Sequence, residues 1–420
     1  MNSPESPLNN LRIAFIPPRF YEGIVGGAET LVGDIASLCS ELGAHVEIWT
    51  TCARDNRSWE NSFEVGEDRF NDNICIKRFL VDDRDLEKWI PRQIQLNEGI
   101  PLELEDQFIW MEESVNSSSL YRHIDKHAQD FDLFIFAPYL FGTTFWGGLI
   151  HPERSVLIPC LHNEANAYLD ITKSLFAQVK GCIFNTDAEK TLAHTIYGED
   201  VKGKVVGMTI ELDDFISKKP YFDDEFSYLL YLGRMETGKN LHILVDHFVS
   251  AKEQSLIPDE IKLVIAGGGS KEDITRDKAL LREDIFVTGR VSEEEKECLL
   301  QHALCLVQPS LNESFCIVMM EAWAQKTPAL VPEACEVTRD HILAANGGVC
   351  YESVADFSAS IERLYESSKI ANQMGENGRR YVEKTYSSSA VKKRLLVAIN
   401  DLITAPLASN SSTSAFPLEN

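Results

Sequence analysis

Pro309-Ser-Leu-Asn-Glu-Ser-Phe-Cys-Ile-Val-Met-Met-Glu321 is the segment on which the fold of this chain turns. A strand-like run, Leu304 to Val307, leads into it, so the segment reads as strand, short loop and helix. Two glutamates, Glu313 and Glu321, stand eight positions apart at its ends. At about 1.5 Å rise per residue they lie roughly 12 Å apart along the axis. Glu313 is expected in the loop at the helix N-terminus, and Glu321 two turns further in. The residues between and beyond them (Phe315, Ile317, Val318, Met319, Met320, Ala322, Trp323) are apolar on nearly every side, which predicts a buried helix. An acid in such a helix needs a partner. A ligand with sugar hydroxyls at one end and a ribose at the other supplies one at each glutamate; a structural ion pair is the alternative.

Working outward, strands and helices alternate on both sides. From Arg12 the order is strand (R-I-A-F-I-P-P), glycine-rich loop, amphipathic helix from about Thr30 to Leu42 closed by Gly43, then strand (H-V-E-I-W-T-T). Such a β-α-β unit implies a parallel sheet. Periodicity weakens over about 53–130, where Trp89, Ile90, Phe108, Ile109 and Trp110 interleave with charges. The aromatics argue for a structured insertion rather than disorder. Strands return at Leu133–Ala137, Ser155–Leu161 and Gly181–Asn185. Near Glu211–Asp224 charges and Pro220 interrupt the pattern, and a second alternation begins: Y-L-L-Y-L-G-R, a helix from about Asn240, K-L-V-I-A-G-G-G, a helix, and I-F-V-T-G-R. Ser292 with Glu295 three residues on is a capping box that opens the next helix. The expectation is α/β: two doubly wound Rossmann-like domains in series, 1–215 and 216–387, a helix over 388–405 and an unordered tail over 406–420.

Composition narrows the function classes. At 420 residues with 44% hydrophobic side chains, the chain fits two cores. No run approaches the roughly 20 apolar residues of a membrane span, and the polar N-terminus does not read as a secretory signal. At most peripheral membrane contact is expected. A net charge of −25 argues against nucleic acid and against constitutive attachment to anionic membranes. Ten scattered cysteines, several in apolar runs (Cys182, Cys305, Cys350), read as buried free thiols in a reduced cytoplasm, or at the inner face of its membrane.

Four motifs fall in order: G-G-A-E at Gly26 to Glu29, L-H-N-E at Leu161 to Glu164, L-G-R-M-E-T-G-K-N at Leu232 to Asn240, and the Glu313/Glu321 segment. As a set, over roughly residues 10 to 400, they resemble the retaining glycosyltransferases of the GT-B fold with a Glu-x7-Glu signature. That large family includes sucrose-phosphate synthases and bacterial mannosyl- and glucosyltransferases. The resemblance implies a central cleft between the domains and a C-terminal helix that crosses back to the N-terminal domain. Every motif follows a strand end, where open parallel sheets bind ligands.

Arg234 offers a forked donor and Lys239 a point charge, a suitable pair for a diphosphate beside Gly233. By resemblance they hold the nucleotide diphosphate and stabilise it as it leaves. Gly26 and Gly27 allow backbone amides to approach an anion at a helix N-terminus, and by resemblance lie under the diphosphate and sugar. Glu29 reads as a first-turn acid favoured by the helix dipole. His162 matches the histidine placed beside the transferred sugar, with Asn163 where relatives often carry aspartate, and Glu164 retained. Asn185, Thr186 and Glu189 resemble a further strand-end segment lining the cleft. Glu321 is implied as the ribose ligand. Glu313, with the amides of Ser314, Phe315 and Cys316, is implied as the donor-sugar contact. Many relatives have glycine on both sides of that aromatic, so the side chains of Ser314 and Cys316 are expected to narrow the sugar pocket. The Gly267–Gly269 run lacks the G-x-G-x-x-G pattern and reads as a strand-end turn near the base.

The implied reaction moves a hexose from UDP- or GDP-hexose onto a hydroxyl of a glycan, lipid-linked or small-molecule acceptor, with retention, without cofactor or metal, in cell-surface polysaccharide or glycolipid synthesis. Two rivals stay open: a nucleotide-sugar-binding subunit of an assembly complex and a nicotinamide-dependent oxidoreductase. The acceptor is expected against the insertion between about Asp82 and Asn116 and the P-Y-L-F-G-T-T-F-W-G-G stretch from Pro138, which reads equally as a core helix.

Overall fold

The computed structural model describes residues 7–404 except 25, 213–219, 225, 270–273 and 275–281. The tail expected over 406–420, part of the interruption at 211–224 and most of the helix expected after Gly269 lie outside the described residues. The chain divides into two compact units. The first comprises Met1–Phe184, Lys190–Val206 and Lys393–Asn420; the second comprises Asn185–Glu189 and Gly207–Lys392.

The first unit begins β1 (Arg12–Ile16), α1 (Gly27–Glu41), β2 (His45–Thr51). In β1 every residue after Arg12 is buried, as the continuous apolar run of a doubly covered parallel strand requires. Helix α1 starts at Gly27, three residues earlier than its apolar period suggests, because Gly26 in an extended conformation serves as its N-cap. Its buried face is Leu31, Val32, Ile35, Ala36, Leu38 and Cys39.

The insertion is structured, as its aromatics require. It supplies a hairpin of β3 (Gly66–Asn71) and β4 (Ile74–Phe79), then α2 (Leu86–Asn97), α3 (Leu104–Glu112) and α4 (Ser118–Lys126). Trp110 is buried in the unit's core with Trp89 and Phe108 packed beside it, whereas Ile90 stays exposed. There follow β5 (Leu133–Phe136), α5 (Gly142–Ile150), β6 (Ser155–Leu157), α6 (Asp170–Gln178), β7 (Gly181–Phe184), α7 (Asp187–Tyr197) and β8 (Gly203–Val205). Helix α5 is the Pro138 stretch, and it is a core helix. Gly142, Thr143, Thr144, Phe145, Gly147 and Gly148 are buried, and a Cβ on Gly147 would come within 2.8 Å of the Phe136 ring. Among the described residues the sheet order is β3-β4-β2-β1-β5-β6-β7-β8, parallel except for the β3–β4 hairpin.

The second unit runs β9 (Tyr228–Leu232), α8 (Leu241–Glu253), β10 (Lys262–Ala266), β11 (Ile285–Gly289), α9 (Glu293–His302), β12 (Cys305–Val307), α10 (Ile317–Ala324), β13 (Ala329–Pro332), α11 (Glu336–Ala345), β14 (Gly348–Tyr351), α12 (Val354–Glu366) and α13 (Ser368–Tyr386). Its sheet, β11-β10-β9-β12-β13-β14, is parallel throughout. Ser292 and Glu295 form the expected capping box at the start of α9.

The last helix, α14 (Ser388–Thr404), starts among second-unit residues, but from Lys393 onward it belongs to the first unit. There Leu395, Ala398, Ile399 and Leu402 are buried. Arg394 donates to the Val206 carbonyl at 2.9 Å, Asp401 pairs with Lys204 at 3.1 Å, and Leu402 fills the space that a side chain on Gly181 would need. The ten cysteines are free thiols; Cys182 and Cys305 are buried and Cys350 is half-buried. Among the described residues no helix is long and apolar enough to cross a membrane.

Candidate functional site

In the second unit, strand order changes direction between β9 and β12, the kind of point at which open parallel sheets bind ligands. The loop after β9 turns at Gly233 with φ +154°, a conformation that favours glycine. It is pinned by Tyr231, whose hydroxyl donates to the Arg234 carbonyl at 2.7 Å. The Gly267–Gly269 run packs against this turn. A Cβ on Gly267 would lie 1.7 Å from the Gly233 carbonyl oxygen, and Met235 N–H donates to the Gly268 carbonyl at 2.8 Å. These glycines therefore allow two strand-end turns to touch.

Lys239 ends a short 3-10 turn, Thr237–Lys239, and Asn240, left-handed at φ +55°, redirects the chain into α8. Lys239 Nζ donates to Glu313 Oε1 at 2.7 Å. The Glu313 side chain is only 10% exposed. Burial opposes the lysine's charge, but the Glu313 carboxylate outweighs it and holds the lysine pKa above its ordinary value. Arg234 is half exposed and pairs with Glu236 at 2.8 Å.

The loop from Glu313 to Cys316 is held by its main chain. Thr186, also of the second unit, donates its hydroxyl to the Ser314 carbonyl at 3.2 Å. Phe315 is buried edge-on against Tyr386, with ring centroids 4.9 Å apart, and near His341. Burial pushes the His341 pKa down to about 4, so the imidazole under this loop is neutral at pH 7. Cys316 takes φ +68°, where glycine is favoured, and its side chain is buried. Its burial raises the thiol pKa far above the ordinary range, with the Glu313 charge acting in the same direction.

Helix α10 begins at Ile317, so Glu321 is its fifth residue, one turn in and not two. The helix is also less enclosed than its composition predicts. Met319, Met320, Ala322, Trp323 and Ala324 are buried, but Ile317, Val318 and Glu321 form a half-open stripe. The partner that a buried acid requires is Lys296 of α9, whose Nζ donates to Glu321 Oε1 at 2.8 Å. No motif marked Lys296; the one signal was a cation in an otherwise acidic first turn. Both glutamates thus carry ion pairs, and among the described residues neither Oε2 has a hydrogen-bond partner.

Asn185, Thr186 and Glu189 form the start of α7 and are buried to 5% exposure or less. Glu189 N–H donates to the Thr186 hydroxyl at 3.1 Å, and the Glu189 carboxylate accepts from Asn185 N–H at 2.5 Å. This reciprocal bonding is a helix-start device, which T-D-A-E announces in the sequence.

In the first unit, a Cβ on Gly26 would lie 2.2 Å from Glu29 Oε2, so the absence of a side chain there makes room for Glu29. Glu29 is more than a first-turn acid: it accepts from Arg19 Nε at 2.5 Å, and Arg19 also donates to the Arg54 carbonyl at 3.2 Å. Gly27 opens α1. His162 Nδ1 lies 3.7 Å from Glu164 Oε1, which accepts from the Tyr139 hydroxyl at 2.9 Å; Asn163 Oδ1 accepts from Tyr168 at 2.8 Å.

Residues 213–381 match the family described as glycosyl transferases group 1. The chain is 26% identical to the alpha-1,3/1,6-mannosyltransferase ALG2 of Dictyostelium discoideum over 196 residues, 43% of this chain and 47% of that one. It spans about half the length of the ALG2 relatives that it matches. Among solved structures, the sucrose-phosphate synthase of Thermosynechococcus elongatus aligns with a TM-score of 0.69 at 16% identity, covering 94% of this chain and 100% of that one. Anabaena Alr3699/HepE, solved in complex with UDP and glucose, aligns with a TM-score of 0.66 at 13% identity, covering 93% and 100%. The fold is GT-B. Gly233, Arg234, Lys239, Glu313 and Glu321 of the second unit all lie inside the matched segment.

Proposed function

We propose that this protein is a retaining, metal-independent glycosyltransferase that moves a hexose from a nucleoside-diphosphate sugar to a hydroxyl acceptor. The observation that carries this reading is the pairing of Lys239 with Glu313, from loops 74 positions apart, at the point where strand order reverses. A diphosphate beside Lys239 and Arg234 meets one ammonium and one half-exposed guanidinium, and charge-assisted bonds of this kind contribute on the order of 1.5–3 kcal/mol each. As the glycosidic bond to the diphosphate breaks, charge develops on the leaving oxygen, and two fixed cations stabilise it. Glu313, with the amides of Ser314, Phe315 and Cys316, contacts the sugar; Glu321 accepts from the ribose hydroxyls. The acceptor hydroxyl attacks from the face that the diphosphate leaves, and a diphosphate oxygen takes its proton.

Within the first unit, Gly26 and Gly27 are assigned to the donor phosphates, His162 to the transferred sugar, and Asn163 and Glu164 to the acceptor side. The mannosyltransferase relatives and the UDP-bound neighbour support a UDP- or GDP-sugar donor and an acceptor in polysaccharide or glycolipid synthesis.

The test is a thermal-shift panel of UDP, GDP and their sugars, with and without chelator, followed by donor consumption with candidate acceptors. A ligand that binds only the native state raises the melting temperature. The expected result is a rise with UDP or GDP that survives chelator. A rise with NAD or NADP alone would replace the reading with an oxidoreductase. Tight donor binding with no consumption would replace it with a binding subunit.

A further inference from the structure

Lys296 is an odd residue to find where it is. It is the fourth residue of α9, in a first turn whose other members are Glu293, Glu294 and Glu295. The N-terminal end of a helix carries partial positive charge, so acids are favoured there and a cation is disfavoured. The capping box of Ser292 and Glu295 fixes the register of the turn, so the lysine cannot drift off this face. Its side chain is only 17% exposed. Its ammonium lies between the carboxylates of Glu293, on its own helix, and Glu321, on α10. Burial opposes its charge, and Glu321 and Glu293 together override burial and raise its pKa.

Stability does not account for this arrangement. A partly desolvated ion pair is often no more stable than two well-packed apolar side chains. Helix α10 is otherwise apolar, and an apolar pair at 296 and 321 would be in keeping with its neighbours Met319, Met320 and Trp323. What the pair does achieve is orientation. Lys296 takes Oε1 of Glu321 and leaves Oε2 without a partner among the described residues. One oxygen is fixed and the other is held in place to accept.

We infer that Lys296 is a positioning residue of the donor site: it holds Glu321 so that its second oxygen accepts from the vicinal hydroxyls of a nucleotide ribose. This rests on the reading of the second unit as a nucleotide-sugar site and adds what selects the nucleotide's sugar. Lys296 acts through Glu321 and needs no contact with the diphosphate. Removing it therefore weakens recognition of the ribose and leaves recognition of the phosphates untouched.

The experiment is calorimetric titration of the full chain and its Lys296→Met, Lys296→Arg and Glu321→Gln variants with UDP and GDP and with their 2′,3′-dideoxy analogues. Wild-type protein is expected to prefer the ribonucleotide over the dideoxy form by about tenfold or more. Lys296→Met should lose most of that preference by weakening the ribonucleotide alone, Lys296→Arg should keep it, and Lys296→Met should add little to Glu321→Gln. A Lys296→Met protein that melts normally and discriminates like wild type would overturn the inference while leaving the donor reading standing. Loss of affinity for both forms alike would also overturn it, since that marks a general structural role. If wild-type protein binds neither UDP nor GDP, the donor reading itself falls. Should Lys296→Met fail to fold, Lys296→Gln, which keeps a donor without the charge, carries the same comparison.

Discussion

Each unit has half-buried or buried acids paired with lysine, and the two units treat them differently. In the first unit Glu47, on β2, is surrounded. Its Oε2 accepts from Trp49 Nε1 at 2.7 Å and pairs with Lys77 at 2.8 Å, while its Oε1 lies 3.3 Å from His45 and 4.0 Å from Arg12. In the second unit Glu313 and Glu321 each give one oxygen to one lysine and keep the other. An acid whose lone pairs are all used holds strands together; an acid with one oxygen left over is ready for something the chain does not itself provide. Burial alone does not draw this distinction, since Glu47 and Glu313 have similar side-chain exposure (9% and 10%), and the distinction fits the roles proposed for Glu313 and Glu321.

The hardest test of that contrast is Lys239→Ala. On the proposed reading this variant removes a cation at the leaving group and should lower kcat by about 10²–10³-fold. The melting temperature should stay within a few degrees, measured by donor turnover beside a thermal melt. Unchanged turnover would break the contrast at its functional end.

Glu47→Ala is the mirror experiment. It strands Lys77 and the Trp49 N–H and should destabilise the protein by about 2–3 kcal/mol in urea unfolding, with no change in UDP or GDP affinity. It also carries a pH signature. Burial raises the Glu47 pKa, but the bonds from Lys77 and Trp49 outweigh it, so the folded-state value lies below the ordinary one. A depressed carboxylate contributes stability above its unfolded pKa, near 4.3, and loses it as pH falls through the folded value. The difference between wild type and Glu47→Ala should therefore narrow below about pH 4.

The smallest effect is expected at Cys316→Gly. Glycine suits φ +68° better, but the variant loses a buried thiol and frees the unfolded chain, so stability should change by less than about 1 kcal/mol. The informative readout is donor preference. A shift among UDP- and GDP-hexoses would place the Cys316 side chain among the determinants of the sugar, and an unchanged profile would remove it from them.

Periodicity and strand-end chemistry were enough to read the two alternations of strand and helix, the capping box at Ser292 and the Glu313 loop, because each depends on residues close in sequence. What was not legible depended on residues far apart. Lys296 and Glu321 are 25 positions apart and no local pattern links them. Glu29 looked like a dipole acid because Arg19, ten residues away in a loop, gives no periodic signal. The stripe of α10 left open around Glu321 was hidden by a composition apolar on every side, since burial there is set by which neighbours pack and not by the helix itself. The Pro138 stretch reads equally as an acceptor contact and as a core helix for a similar reason: what packs against it is far away in sequence, and Gly147 is what lets α5 lie against Phe136. Thr186 and Glu189 also carry a local capping pattern, legible because its partners are three residues apart.

The route of α14 has a consequence for how the protein is made. Four apolar side chains of the first unit, Leu395, Ala398, Ile399 and Leu402, come from the far end of the chain, and one of them covers Gly181 on β7. During synthesis the first unit therefore emerges early but cannot be completed until nearly the whole chain has left the ribosome. The second unit, whose sheet comes from one continuous stretch, has every strand in hand some fifty residues sooner, counted from Tyr351 to Thr404. The part of the chain translated first is the part that closes last, and until then β7 around Gly181 lacks the apolar cover of Leu402.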